Sequence, residues 1–132
     1  MPVDPKVARA RELLGIPFRL HGREPAGGLD CAGLVALLYG LTENVPTGYA
    51  LRNGEGVRWH RALDRHFLRR ADCQMDPGDI ALMQAGPAQF HLGIWTGEGL
   101  IHADARLRRV VEIPGPIAWP VLGVWRAPQG TC

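Results

Sequence analysis

The chain has 132 residues, of which 46% are hydrophobic and 21% charged, and its formal net charge is +2. This length predicts one domain, residues 1–132, with enough buried surface to fold without disulfides or a metal. The composition excludes a disordered chain, and the weak positive charge gives no reason to expect a nucleic-acid partner.

The N-terminus, the hydropathy and the cysteines limit where the protein works. Residues 1–6 lack an apolar run behind a basic start, and no stretch approaches the ~18 apolar residues of a membrane span. We therefore expect synthesis in the cytoplasm without a signal peptide, and no membrane span. An odd number of cysteines argues against a complete disulfide framework, and these are Cys31, Cys73 and Cys132.

Two helices are predicted in the N-terminal part of the chain. Asp4 followed by proline is typical of a helix start, and Gly15 offers a stop. Residues 16–29 are rich in proline and glycine and are predicted to be a loop. A second helix is predicted from Asp30 to Gly40, and because it is apolar nearly all round, it is expected to be buried centrally.

The rest of the chain changes from helix to strand. Residues 41–54 are predicted to be loop, and a third helix is predicted over 57–70. Short apolar segments separated by turn residues then predict an antiparallel meander over 80–83, 89–95, 100–103, 110–113 and 121–125. Helices first and strands after indicate an α+β fold, with the helices packed against a sheet of about five strands.

Cys31 stands at the start of the second predicted helix, directly after Asp30. The unpaired amides and the partial positive charge at a helix N-terminus favour a thiolate and can hold an oxyanion. The small Ala32 and Gly33 leave room for a substrate carbonyl to approach the sulfur. A buried structural cysteine is the alternative, since free cysteine also packs as a small hydrophobe.

Two histidines are predicted to share one face of a hairpin. Two segments that alternate with period 2 flank a turn at 97–98. In this register His91 faces Asp104, and His102 is a diagonal neighbour of His91. An apolar set takes the opposite face, namely Leu92, Ile94, Ile101 and Ala103.

One cysteine and two histidines suit nucleophilic catalysis, in which one imidazole takes the thiol proton and the second orients the first. Alternatives remain open from the residues alone. Each histidine is also explained as a partly exposed strand residue. Cys31, His91 and His102 with a water would also fit tetrahedral zinc, although no closely spaced pair of ligands seeds such a site.

Four segments form an ordered set along the chain: Gly15-Ile16-Pro17-Phe18, Asp30-Cys31-Ala32-Gly33-Leu34-Val35, Pro77-Gly78-Asp79-Ile80, and His91-Leu92-Gly93-Ile94-Trp95 with Leu100-Ile101-His102-Ala103. They resemble the motifs of the NlpC-type family of cell-wall cysteine peptidases, which share a compact papain-like fold. The resemblance implies Cys31 as nucleophile, His91 as general base and acid, and His102 as the residue that orients His91. It implies no cofactor and no metal.

The resemblance also implies a substrate, the stem peptide of peptidoglycan. The residues expected to border this peptide are Asp30, Phe18, Gly33 and Trp95. In the family, the residue equivalent to Asp30 lies near the amine of the bound peptide, although a helix N-cap explains Asp30 equally well. Phe18 departs from the pattern, because the family has tyrosine there. Tyr39 and His21 are candidates to replace the missing hydroxyl.

The compact chain most resembles the phage-tail and gene-transfer-agent branch of the family. This implies tail proteins as partners and delivery on a tail tip to the bacterial cell wall. Two other functions remain open. One is a catalytically idle module for tail assembly or interaction, to which the missing hydroxyl at Phe18 points. The other is an amidase or acyltransferase that uses the same Cys-His site.

Overall fold

The protein is described by a computed structural model over residues 4–41, 56–71, 74–86 and 89–127. These residues form the helices α1 Pro5–Glu12, α2 Cys31–Tyr39 and α3 Gly56–His66. They form the strands β1 Arg23–Glu24, β2 Gly28–Leu29, β3 Leu68–Arg69, β4 Ile80–Gly86, β5 Gln89–Trp95, β6 Gly99–Asp104, β7 Arg109–Pro114 and β8 Val121–Arg126. Residues 42–54 of the loop predicted over 41–54, together with Cys73 and Cys132, lie outside the described residues.

The first two predicted helices are confirmed, and each begins at an aspartate cap. The carboxylate of Asp4 accepts the amide of Lys6 at 2.8 Å, and the carboxylate of Asp30 accepts the amide of Gly33 at 2.8 Å. α2 ends at Gly40, whose φ of 70° is the left-handed conformation that favours glycine. Seven of the nine residues of α2 are buried, as its apolar sequence predicts.

The third predicted helix ends earlier than its periodicity indicates. α3 stops at His66, and the following residues of the predicted helix 57–70 form β3. β3 pairs with β8, and the amide of Arg70 donates to the carbonyl of Val124 at 2.8 Å. These residues are extended rather than helical because their backbone groups form hydrogen bonds with a strand that is distant in the sequence. The predicted loop 16–29 also contains the short antiparallel pair of β1 and β2.

The main sheet has six strands in the order β3-β8-β4-β5-β6-β7. β4 to β7 form the antiparallel meander that the sequence predicts. The prediction is wrong for the last strand, because β8 returns to lie between β3 and β4, with Trp125 opposite Ile80. The sheet therefore contains one strand more than the five predicted.

The main core lies between the helices and one face of this sheet. Leu34 and Leu38 of α2 pack in one cluster with Ile94, Ile101 and Trp125. A smaller cluster on the other face combines buried Ala81, Met83 and Leu100 with partly buried Ile117 and Trp119. Among the described residues, no helix is long and apolar enough to cross a membrane. The α+β architecture is as predicted.

Candidate active site

The hairpin of β5 and β6 adopts the predicted register. Ile94 pairs with Ile101, and Trp95 pairs with Leu100. The amide of Thr96 donates to the carbonyl of Gly99 at 2.8 Å, which closes the turn. The apolar set predicted for one face lies in the main core. The side chains that alternate with it therefore point to the other face of the hairpin.

The two predicted histidines meet at the open end of this hairpin. His91 Nε2 lies 2.7 Å from His102 Nδ1, so one nitrogen donates and the other accepts. The rings are nearly perpendicular, and their centroids are 4.8 Å apart. The ring of Trp119 packs edge-on against both, with centroid distances of 5.5 Å. Its indole therefore keeps part of the imidazole pair away from water.

Burial holds both imidazoles neutral. It is the largest cause that lowers the pKa of His91 to about 3, and the neighbouring His102 lowers it further. Burial also lowers the pKa of His102, which is only 1% exposed. The carboxylate of Asp104 opposes the shift at both rings. At neutral pH each ring therefore carries one proton and has one nitrogen free to accept another.

Cys31 is the first residue of α2 and is 7% exposed within the main core. Backbone hydrogen bonds from Leu92 and Ala32 reach its sulfur and favour the thiolate. Leu92 is the chain neighbour of His91, so the sulfur lies against the strand that carries the base candidate. The structure does not bring the thiol into contact with His91. Among the described residues no hydrogen bond joins the two, and Cys31 packs in the main core whereas both imidazoles point to the other face of the hairpin.

The resting cysteine is a thiol, contrary to the thiolate expected at a helix N-terminus. Burial raises the pKa of Cys31 to about 12, and the carboxylate of Asp30 raises it as well. The two backbone hydrogen bonds and Arg23 lower it, but they do not outweigh burial. The expectation was wrong because sequence alone does not show how deeply the first turn of α2 is buried.

Asp30 organises the backbone around the sulfur. This carboxylate is 1% exposed, and it accepts the amides of His21 at 2.6 Å and Gly33 at 2.8 Å. Arg23 Nη1 lies 2.9 Å from Asp30 Oδ1 and forms an ion pair with it. The N-cap role of Asp30 is therefore confirmed. Any substrate amine at this carboxylate would share it with Arg23.

The other residues expected to border the substrate have structural roles that account for them. Phe18 packs against the main core and forms an isolated bridge with Leu29. A Cβ atom on Gly33 would lie 1.9 Å from the carbonyl oxygen of Gly22, so close backbone packing requires glycine there. Trp95 is at the end of β5 remote from His91, ~13 Å along the strand. Contact with a substrate stays a prediction for all three.

Of the two candidates for the missing hydroxyl, Tyr39 lies in the wrong place. Its hydroxyl donates to the carbonyl of Gly78. Tyr39 is the last residue of α2, and the helix rise places it ~12 Å from Cys31. His21 is at the correct end of α2, because its amide donates to Asp30.

The geometry of the imidazole pair disfavours the zinc alternative. Two nitrogens bound to one tetrahedral zinc ion are about 3.3 Å apart, whereas the facing nitrogens of His91 and His102 are 2.7 Å apart and bond to each other. In the part of the chain that the structure describes, no group of three or more histidine, cysteine, aspartate or glutamate side chains could hold a metal ion.

Two residues of this site were not predicted. Asp104 lies behind His102, with its Oδ2 4.0 Å from His102 Nε2. The predicted register already places Asp104 opposite His91, so a signal for it was present. Trp119 lies in an irregular segment after β7 and has no periodic signal. Trp119, Asp104 and both histidines line one cavity of about 260 Å³.

Known structures with a similar fold are NlpC/P60 domains. The NlpC/P60 domain of the peptidoglycan hydrolase SagA is 24% identical with a TM-score of 0.56, over 83% of this chain and 86% of that one. NlpC2 from Trichomonas vaginalis is 20% identical with a TM-score of 0.68, over 92% of this chain and 45% of that one. The peptidoglycan hydrolase RipB from Mycobacterium tuberculosis is 19% identical with a TM-score of 0.62, over 92% and 62%.

The likeness covers only part of some of these proteins. The chain spans less than two thirds of the length of NlpC2 and of RipB. No protein-family model matches the sequence, and no curated protein matches it either. The structural likeness nevertheless extends over most of the chain in all three comparisons. The chain therefore has the papain-like α+β fold of NlpC/P60 domains.

Proposed function

We propose that the chain is a cysteine peptidase that hydrolyses amide bonds in the stem peptides of bacterial peptidoglycan. Cys31 is the nucleophile and His91 is the base. The observation that carries this proposal is the paired imidazole of His91, 2.7 Å from His102 and adjacent in the chain to the amide that contacts Cys31. The similar structures include two proteins named as peptidoglycan hydrolases, which supports a cell-wall substrate.

The first step joins the sulfur to the substrate carbonyl carbon. Because His91 Nε2 faces His102, the other nitrogen, Nδ1, is the one left for the thiol. The resting pair is a neutral thiol and a neutral imidazole, since burial disfavours both charged forms. The proton therefore moves from Cys31 to His91 Nδ1 as the sulfur attacks, and the carbonyl oxygen becomes an oxyanion. The structure shows no contact between the sulfur and Nδ1, so this step requires the two atoms to come together when substrate binds.

The amide of Cys31 is assigned to the oxyanion. The amide of Gly33 is already donated to the carboxylate of Asp30, and the amide of Leu34 is donated to the Asp30 carbonyl at 2.8 Å. The amide of Ala32 contacts the sulfur. The partial positive charge of the N-terminus of α2 adds to this stabilisation.

The second half of the reaction returns the enzyme to its resting state. His91 gives its proton to the leaving amine, the C–N bond breaks, and a thioester forms on Cys31. A water molecule then attacks the thioester carbon while His91 takes its proton. The C–S bond breaks, the product leaves with a new carboxyl group, and the proton returns to the sulfur.

A second candidate is a catalytically idle interaction module with the same fold. The burial of Cys31 and its raised pKa favour this alternative, because a buried thiol is a poor nucleophile. An amidase or acyltransferase would use the same thioester, with an acceptor other than water in the case of the transferase. Product analysis separates these outcomes.

The test is turnover of purified peptidoglycan and of defined muropeptides, followed by mass spectrometry. Wild-type protein is expected to produce fragments whose summed mass exceeds that of the substrate by one water. Cys31→Ala and His91→Gln are expected to produce none, whereas the matched control Cys132→Ala retains activity. If Cys31→Ala cleaves at the wild-type rate, the mechanism is wrong. A wild-type protein without turnover favours the interaction module, and products joined to an added amine identify a transferase.

The setting of this activity is proposed from the sequence resemblance. We expect the phage-tail or gene-transfer-agent branch, in which a tail tip carries a peptidase made in the cytoplasm to the cell wall. Quantitative mass spectrometry of purified tail particles from the producing cell tests this setting. The chain is expected at a fixed ratio to the tail proteins, and its absence from intact particles would contradict the tail setting without affecting the peptidase chemistry.

A further inference from the structure

We propose that Asp104 is a positioning residue that acts through His102 to hold the proton of His91 on Nε2, so that Nδ1 of His91 is free to accept the proton of Cys31. The inference rests on the proposed function and deepens it, because it adds a residue outside the cysteine and the two histidines. It also makes a statement about imidazole tautomers that is measurable without any substrate.

The carboxylate of Asp104 is fixed by its own turn. Its Oδ1 accepts the amide of Arg106 at 2.7 Å and the amide of Leu107 at 3.0 Å. These two hydrogen bonds leave Oδ2 to face His102, whose Nε2 is 4.0 Å away. At this distance no hydrogen bond joins the carboxylate to the neutral ring, so Asp104 acts on His102 through its negative charge. The turn therefore sets the carboxylate beside the ring before any substrate binds.

Asp104 carries a negative charge at neutral pH. Burial raises its pKa, but the net shift is downward, and the largest causes that lower the pKa are the backbone amides of Leu107 and Arg106. An ionised carboxylate accepts hydrogen bonds and donates none. The nitrogen that faces Asp104 is therefore the one that holds the proton of the neutral His102 ring.

The position of the proton on His102 determines which nitrogen of His91 carries its proton. With its proton on Nε2, His102 has a bare Nδ1 that accepts from His91 Nε2 across 2.7 Å. His91 then holds its single proton on Nε2, and its Nδ1 has a free lone pair. When His91 takes the thiol proton it becomes positively charged, and the negative charge of Asp104 stabilises that form, since it raises the pKa of His91.

The other described neighbours of His102 do not determine which of its nitrogens carries the proton. On β7 the residue paired with His102 is the apolar Val111. From the segment after β7, Trp119 presents an aromatic ring. On β5 the facing group is His91 itself. Arg106 lines the same cavity as the two imidazoles, and its positive charge favours the neutral form of His102.

The first experiment measures the tautomers directly. Two-bond ¹H–¹⁵N correlation spectra of ¹⁵N-labelled wild-type protein at neutral pH distinguish a proton on Nε2 from one on Nδ1. We expect the Nε2–H form for both His91 and His102. A wild-type spectrum with the Nδ1–H form at either ring overturns the proposal, and this measurement needs no variant and no activity.

The second experiment uses Asp104→Asn, which keeps the Oδ1 acceptor of the turn but places an NH₂ donor near His102. The His102 proton is expected to move to Nδ1, and the His91 proton then moves to Nδ1 as well. The kcat/KM for muropeptides is expected to fall about 100-fold, and the rate of Cys31 alkylation by iodoacetamide is expected to fall with it. Asp104→Glu is expected to recover at least part of the loss.

Asp64→Asn is the matched control, because it removes a carboxylate of α3 that bonds Arg69 and Trp125 rather than the imidazoles. It is expected to leave the tautomers and kcat/KM unchanged. Unchanged tautomers in Asp104→Asn would overturn the positioning role even if activity falls. If the tautomers change as expected in a protein that cleaves no peptidoglycan, the positioning role stands and the proposed function fails.

Discussion

Gly33 lies where helix propensity and packing give opposite predictions. Alanine in a helix interior is more favourable than glycine by about 1 kcal/mol, so Gly33→Ala should stabilise α2 if propensity alone mattered. A Cβ atom at this position would lie 1.9 Å from the carbonyl oxygen of Gly22 and 3.0 Å from its carbon. Both are backbone atoms, so the loop and the helix must separate.

The separation also disturbs the hydrogen bonds that hold this loop to α2. The amide of His21 and the side chain of Arg23 both bond to Asp30 at the N-terminus of the helix. Overpacking costs about 1–3 kcal/mol, and a weakened cap costs about 1 kcal/mol more. After the gain in propensity, Gly33→Ala should lose roughly 2 kcal/mol, which lowers Tm by roughly 7 °C in a chain of this length.

Thermal unfolding followed by circular dichroism measures this difference. Gly27→Ala is the control, because Gly27 lies in the same loop region and a Cβ atom there would have Arg19 Nη1 as its nearest contact, at 3.9 Å. Gly27→Ala is expected to leave Tm unchanged or to raise it slightly by restricting the unfolded chain. A Tm for Gly33→Ala equal to or above that of the parent would refute the packing argument.

Three other measurements test the charges of the site. The rate of Cys31 alkylation, measured by peptide mass spectrometry, should increase steadily from about pH 6 to about pH 9, because burial raises the pKa of the thiol. A rate that reaches a plateau near neutral pH would contradict the raised pKa. As the pH decreases below about 6.5, the free energy of unfolding should fall by up to about 1.4 kcal/mol per pH unit for each of His91 and His102, because the unfolded rings bind protons that the buried rings do not. Denaturant titrations measure this slope, and a variant with glutamine at both positions should lack it. Asp30→Ala should cost about 3 kcal/mol, because it removes both the cap of α2 and the ion pair between Arg23 and this buried carboxylate. A loss below ~1 kcal/mol would contradict the ion-pair role.

Local features of the fold were predictable because their signals lie in a few neighbouring residues. Asp4 and Asp30 cap helices as their positions before Pro5 and Cys31 indicate. The turn after Trp95 and the alternation on both sides of it determined the hairpin register. This register brought His91 and His102 onto one face, which is the part of the site that sequence located best.

Features that depend on distant contacts were not predictable in the same way. β3 has helical spacing in the sequence, but its backbone pairs with β8. β1 and β2 are two residues each, too short for any periodicity. The protonation of Cys31 follows from its depth in the core, and the importance of Asp104 follows from a side-chain distance. Each of these depends on tertiary structure that propensity does not encode.

The position of β8 within the sheet has a consequence for synthesis on the ribosome. β4 pairs with β8 along one edge and with β5 along the other, and among the described residues β8 is the last strand in chain order. Until residue 126 leaves the exit tunnel, the nascent chain presents β4 as an unpaired apolar edge. Such an edge is a template for association with other chains. The interval between emergence of β4 and docking of β8 is therefore a period in which the nascent chain is exposed to association through this edge.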